Sequence, residues 1–245
     1  MLLAACRNLL SFNDLSWTKW LKKLLLIGLV WFCVLHLSIL LRIVSYTWYD
    51  PSSTSFMEEQ LATLQLEGSD IKKKHEWVPY TSISKSLKRA LIAAEDAKFL
   101  DHDGFDWDGI ENAWEKNLAK GKIVAGGSTI SQQLAKNLFL SSDKTPWRKL
   151  DEALITVMLE AILDKQRIYE IYLNVIEWGE GIYGAEAAAQ YYFGTSAKRL
   201  SAYQSAYLAA MVTNPRYYQT HRRSAHLSHK TRVILKRMRQ SDIPD

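Results

Sequence analysis

Eighteen consecutive residues without a charge, Leu24 to Leu41 (LLLIGLVWFCVLHLSILL), constrain this 245-residue chain more than any other stretch of it. Extended by Ile43, Val44 and Tyr46, the run is long enough as a helix to cross a hydrocarbon core of about 30 Å. Arg7, Lys19, Lys22 and Lys23 precede it against Asp14 alone, whereas Arg42, Asp50, Glu58 and Glu59 follow it. Basic residues stay on the cytoplasmic side, so the asymmetry predicts a cytoplasmic N-terminus and a remainder on the far side. Trp17, Trp20, Trp48 and Tyr49 flank the run at depths that suit amphipathic rings. Two other readings stay open: a buried core helix, or a cleaved signal peptide with Ser38 or Ser45 near the cut. The apolar stretch is long for a signal and lacks a small-x-small ending. His36 inside it has no evident partner.

About 195 residues follow, enough for one well-buried domain and too few for two large ones. The expected division is a cytoplasmic segment at 1–23, a membrane helix at 24–46, a connector at 47–74 and a catalytic domain at 75–245. Both cysteines, Cys6 and Cys33, lie at or before the span, so the far-side domain has no disulfide or thiol chemistry to offer. The net charge of +5 is modest, but Arg216–Arg239 holds eight Arg or Lys residues and no acid. Beside a membrane such a run suits anionic headgroups or a phosphate-bearing substrate, or is simply a solvated basic helix. A protein of this orientation does not meet nucleic acid.

Periodicity and punctuation predict an almost wholly helical domain. Helices are expected over Phe56–Leu66 and Ser84–Lys98, the latter on Leu87, Ala90, Leu91 and Ala94, and from an Asp108 cap to Ala119. Gly126-Gly127 breaks the chain before Ser128 or Thr129 caps a helix carrying Ile130, Leu134 and Leu138. Thr145 followed by Pro146 opens a helix to about Leu163, because proline at the first helical position gives up an N–H that has no partner there. Further helices are expected over Asp164–Tyr172, over Glu186–Tyr192, from a Ser201/Gln204 capping box to Thr213, and over Arg222–Arg239. No β-alternation justifies a sheet; at most a short hairpin fits Val175–Tyr183.

Three groups of residues could carry chemistry. Glu95 and Asp96 close an apolar-faced helix, and Phe99, His102 and Gly104 follow in an acid-rich loop. Glu152 lies about two turns into the Thr145-Pro146 helix, with Glu160 eight residues on. Carboxylates brought to one cleft from two elements are what glycosyl chemistry needs, one to move a proton and one to stabilise charge; ordinary solvated helix carboxylates look the same in sequence. The third group is Gly126-Gly127-Ser128-Thr129-Ile130-Ser131-Gln132-Gln133, where glycines permit close backbone approach and the following N–H groups can meet phosphate oxygens. Lys136, Arg148 and Lys149 would add cations. The competing reading is a glycine turn with an ordinary cap. No Walker Lys-Ser/Thr ending, no H-E-x-x-H pair and no partner motif for Ser82-x-x-Lys85 is present.

Glu95-Asp96-x-x-Phe99-x-x-His102-x-Gly104 resembles the first motif of the peptidoglycan glycosyltransferases, glycosyltransferase family 51. The Gly126–Gln133 run resembles the second, Arg148-Lys149-x-x-Glu152 the third, and Ile171-Tyr172-Leu173-Asn174 with Gly179 the fourth; Ser201–Pro215 resembles the closing region. The likeness covers roughly residues 75 to 220. It departs from the family's pattern at Gln204, where an acid is often found, which puts in doubt any role at that position. With no transpeptidase module in the chain, a single-activity member of the family is expected.

The resemblance implies a mainly α, lysozyme-like, two-lobed glycosyltransferase domain behind one transmembrane helix. Its smaller lobe would lie near the bilayer and include roughly Trp107–Val124, with Trp107, Ile110, Trp114, Leu118, Ile123 and Val124 dipping into lipid. The substrates would be lipid II and glycan linked to undecaprenyl pyrophosphate, at a bacterial inner membrane with the catalytic domain in the periplasm. Membrane lipids, and cell-division or elongation proteins, are the further partners it allows. Glu95 would be the general base, and Glu152 would organise the donor site. Lys136, Arg148 and Lys149 would clamp pyrophosphate, while Ser128, Thr129, Gln132 and Gln133 contact substrate. Asp96, Phe99, His102, Gly104 and Asn174 would support the cleft. A divalent cation, Mg2+ or Mn2+, is the one cofactor admitted, with Glu152 or Asp96 as the ligands open to it, and no organic cofactor is expected. A lysozyme-like muramidase or lytic transglycosylase and a non-catalytic membrane scaffold are the rival readings.

Overall fold

A computed structural model describes residues 2–122, 126–143 and 145–245, with side chains described from Trp17 onward. The chain divides into two units, Met1–Arg42 and Ile43–Asp245. Helix α1, Leu2–Ser45, accounts for the first. Its Trp17–Ser45 stretch has a length and composition suited to a membrane anchor. His36, without an evident partner in the sequence, donates from Nδ1 to the Phe32 carbonyl at 2.9 Å, one turn back in the helix.

In the second unit every helix can be traced to a local signal. Helix α2 (Ser55–Leu66) starts where Thr54 accepts from the Met57 N–H, and it buries Met57, Gln60 and Leu64. This helix lies within the segment read as a connector, yet it packs on α5 (Ile130–Phe139). Arg167 ties the preceding residues down by donating to the Tyr46 and Tyr49 carbonyls and the Asp50 carboxylate at 2.7–3.0 Å. Helix α3 (Lys85–Glu95) is capped by Ser84 and buries Leu87, Ala90 and Leu91 as its spacing predicts. It stops three residues before the expected Lys98. Asp96 leaves helical geometry (φ −160°), and its carboxylate is engaged elsewhere, by Ile130 N–H and His102.

Helix α4 spans Trp107–Lys120 and is capped by Asp106, not by the expected Asp108. Asp106 accepts from Gly109 N–H at 3.0 Å, while Asp108 sits in the first turn paired with Lys98. Helix α5 begins at a capping box between Thr129 and Gln132. Helix α6 (Pro146–Ile162) has the Thr145-Pro146 start read from the sequence, and α7 (Lys165–Val175) runs three residues beyond the expected Tyr172. Helices α8 (Ala185–Phe193) and α9 (Ala202–Met211) follow the expected segments, the second on its Ser201/Gln204 box. The last expected helix, Arg222–Arg239, is α11 (Ala225–Arg237), which starts where Ser224 accepts from Leu227 N–H, and a short α10 (Pro215–Thr220) precedes it.

A small sheet interrupts the helices. Strands β2 (Glu177–Gly179) and β3 (Ile182–Tyr183) form the expected hairpin, and β1 (Lys74–His75) adds to β3 in parallel with Lys74 opposite Ile182. Two residues are too few for an alternation to register, so β1 was invisible to pattern reading. Trp178 is fully buried, with its indole N–H on the Leu208 carbonyl at 3.0 Å, and links the hairpin to α9. Helix α9 packs on α3 and α11, and α5 packs on α6 and α7. The C-terminal end of α3 and the N-terminal end of α5 meet at Asp96, and that junction carries Glu95.

Candidate active site

Glu95 is the last residue of α3, at the wall of a cavity of about 180 Å³ lined also by Asp96, Asp106, Gly126, Gly127, Ser128 and Thr129. Its Oε2 accepts from Gln133 Nε2 at 3.0 Å. Its Oε1 is buried and has no hydrogen-bond partner among the described residues. Burial raises the Glu95 pKa, since a carboxylate loses hydration there. The Gln133 hydrogen bond opposes this rise, as do Lys230 and Lys136, while the neighbouring Asp96 charge adds to it. The acid is therefore pushed up by its surroundings and held back by one amide and two cations.

Asp96 is a brace. Its carboxylate accepts from Ile130 N–H at 3.0 Å and joins His102 Nε2 at 3.0 and 3.2 Å, so it pins the start of α5 and the loop after α3 together. Phe99 is fully buried against Tyr169. Gly104 has φ +94°, and a Cβ there would stand 2.8 Å from Thr156 Cγ2 of α6, so both conformation and space demand glycine. Gly127 lies against α4, where an added Cβ would come within 3.0 Å of Ile110 Cα. Ile110 thus backs the glycine turn, while Trp107, Trp114 and Leu118 of the same helix are each more than half exposed. Ile123 and Val124, expected beside them, lie outside the described residues.

The residues of the second motif divide by task. Ser128 is exposed at the cavity. Thr129 and Gln132 are buried and engaged in capping, Thr129 donating also to the Gly104 carbonyl at 2.7 Å. Gln133 faces Glu95. Glu152 is buried inside α6, and both of its oxygens are taken: Arg148 Nη1 donates to Oε2 at 2.9 Å and Lys149 Nζ pairs with Oε1. Lys149 also reaches Ser128 Oγ at 3.5 Å, which brings the third motif to the second. Lys136 from α5 feels the Glu152, Arg148 and Lys149 charges, and burial lowers its pKa. Three cations around one carboxylate leave a surplus positive charge, which suits a phosphorylated group. Glu160, expected on the Glu152 face, is committed to Ser131 and Lys165 at 2.5 and 2.8 Å. Asn174 is fully buried, accepting from Val78 N–H and donating to the Val78 and Glu170 carbonyls at 2.9–3.0 Å.

Neither carboxylate nominated for a divalent ion fits one. Both oxygens of Asp96 and both of Glu152 already face donors, and no three His, Cys, Asp or Glu residues converge among the described ones. Sequence reasoning missed Lys230, which stands in the basic run and donates to Thr213 Oγ1 at 2.8 Å; burial lowers its pKa and the Glu95 charge raises it. It also missed Tyr172, whose hydroxyl meets Gln133, and the half-buried Glu177, which pairs with Arg216 at 2.9 Å. Tyr172 lies inside the fourth-motif residues, so a signal was present; nothing local marks Lys230 or Glu177.

A buried carboxylate at a cavity wall beside a cation-rich cluster, on a mainly helical frame, defines a glycosyl-transfer domain, and the chain belongs to the transglycosylase family: the family model described as Transglycosylase matches residues 59–239. The fold is the lysozyme-like one that the resemblance implied. The chain is similar to the biosynthetic peptidoglycan transglycosylase of Chromobacterium violaceum, 65% identical over 213 residues that cover 87% of this chain and 93% of that relative. Proteins of the same description from Laribacter hongkongensis (59% identical, covering 92% of this chain and 99% of the relative) and Methylobacillus flagellatus (57%, covering 90% and 96%) are also similar.

Proposed function

We propose that this chain polymerises lipid II into β-1,4-linked glycan strands for the cell wall. The observation that carries the reading is the Glu95 carboxylate, anchored through one oxygen and unpaired at the other, beside a cavity lined by Ser128, which Lys149 reaches at 3.5 Å. Glu95 takes the proton from the 4-hydroxyl of the acceptor N-acetylglucosamine as that oxygen attacks C1 of the donor N-acetylmuramic acid. The C1–O bond to pyrophosphate breaks with its electron pair on the leaving group. One displacement inverts the anomeric carbon, so an α-pyrophosphate becomes a β-linkage without a covalent enzyme intermediate. Lys136, Arg148 and Lys149 share the charge that grows on the leaving pyrophosphate, and Glu152 holds the last two in place.

The apolar α1 helix supports a membrane anchor. We place its N-terminus in the cytoplasm and the catalytic domain on the periplasmic side of an inner membrane, on the charge asymmetry around the span. Exposed Trp107, Trp114 and Leu118 of α4, with Trp147, Leu150 and Val157 of α6, support contact of the domain with lipid. The test is labelled lipid II incubated with the full-length protein, beside purified sacculi. Glycan that lysozyme later shortens, with undecaprenyl pyrophosphate released, is the expected result. Muropeptides from sacculi without any polymer would identify a strand-cutting enzyme, and lipid II binding without turnover a scaffold.

A further inference from the structure

The Gln133 side chain is wired into the protein at both ends. Its Nε2 donates to Glu95 Oε2 at 3.0 Å, and its Oε1 accepts from the Tyr172 hydroxyl at 3.1 Å. A carboxamide has one donating and one accepting end, so whatever fixes one end decides what the other presents. The ionised Glu95 carboxylate can only accept, so the NH2 group faces it, and the amide oxygen at the other end accepts from the hydroxyl of Tyr172, which is fully buried on α7. The reversed amide would set oxygen against carboxylate oxygen. The two oxygens of Glu95 are thereby made unlike: Oε2 is hydrogen-bonded, while Oε1 meets no donor among the described residues.

We infer that Gln133 is a positioning residue locked by Tyr172, and that it assigns Oε1 of Glu95 as the atom that takes the acceptor's proton. This rests on Glu95 being the base of the proposed transfer. As the acceptor O–H bond breaks, an Oε1–H bond forms; Gln133 exchanges no proton and keeps the carboxylate plane fixed through Oε2. A carboxylate held at one oxygen loses rotational freedom about its last torsion, and its unpaired oxygen is the more basic one. The inference moves Gln133 from substrate contact, where the sequence placed it, to the support of the base.

The other charged or titratable groups that act on Glu95 are its neighbour Asp96, Lys136 of α5 and Lys230 of α11, with Tyr169 and Tyr172 of α7 packed nearby. Gln133→Leu leaves all of them in place while removing the amide. Tyr172→Phe keeps the ring and removes only the hydroxyl that orients the amide.

The experiment compares full-length wild type, Glu95→Gln, Gln133→Leu and Tyr172→Phe in lipid II polymerisation across pH. Gln133→Leu is expected to lower kcat about 10- to 100-fold with KM within about twofold. Its acidic limb of kcat/KM should move up by about one pH unit, because a hydrogen bond to the ionised form is lost. Tyr172→Phe should move the limb in the same direction by less, and since it preserves packing its profile decides the matter if Gln133→Leu folds poorly. A raised KM with an unmoved acidic limb would make Gln133 a substrate ligand and overturn the inference. Polymer made undiminished by Glu95→Gln would instead remove the base reading on which the inference stands.

Discussion

Glu95 must be ionised to accept a proton, yet its site is built to resist ionisation. Its pKa is raised first by burial, so catalysis should fall as pH drops through that raised value. Lys230 works against the rise; removing a cation from beside a carboxylate disfavours the charged form. Lys230→Met should therefore shift the acidic limb of kcat/KM to higher pH, read from a pH–rate profile, with lipid II binding nearly unchanged. The same physics makes a stability prediction. A folded-state pKa above the unfolded one means that the protonated acid favours folding at low pH and that this contribution is lost as pH rises through the folded value. At neutral pH Glu95→Gln should then abolish polymerisation yet raise Tm by roughly 2–4 °C, with the gain over wild type shrinking toward pH 4. Thermal unfolding at two pH values checks it.

At the scale of elements, the site is made by one junction, where α3 ends and α5 begins. Asp96 joins them, Thr129 caps α5 and holds the Gly104 carbonyl, and Gly104 fits under α6. Thr129→Ala should cost about 1–2 kcal/mol through the lost cap. Gly104→Ala should cost at least as much, because φ +94° and the Thr156 contact both oppose a Cβ. Denaturant unfolding measures both, and both should lower activity through the shape of the junction that carries Glu95. This scale also shows what the sequence could reveal. Caps are local, so the Thr145-Pro146 and Ser201/Gln204 starts were legible to the residue. The end of α3 was not, because Asp96 leaves the helix for partners 6 and 34 residues away. The cap of α4 went to Asp106 over Asp108 for a similar reason: Lys98 claims Asp108. The motif residues Glu95, Ser128, Arg148, Lys149 and Glu152 could be named from their order along the chain. Which of them would touch one another could not, so the Gln133–Glu95 hydrogen bond and the influence of Lys230 on Glu95 are visible only in the structure.

Across the whole molecule, a long apolar helix and an exposed apolar surface on the catalytic unit suit work beside a membrane, as the proposed lipid-linked substrate requires. Trp107, Trp114 and Leu118 repeat on one side of α4 and bury little against the protein, so their contribution should appear only where a bilayer is present. Trp107→Ser with Trp114→Ser is expected to lower polymerisation in liposomes several-fold, while the same variant in detergent micelles keeps most of its rate; an equal loss in both would point to a folding defect. The proposed function rests on Glu95 as the base of a glycan-forming reaction. The most direct measurement is the product formed from labelled lipid II by wild type and Glu95→Gln, at equal folded concentration and neutral pH. Long glycan that lysozyme digests, made by wild type and absent from Glu95→Gln, is the predicted result. Equal polymer from both proteins would contradict the account.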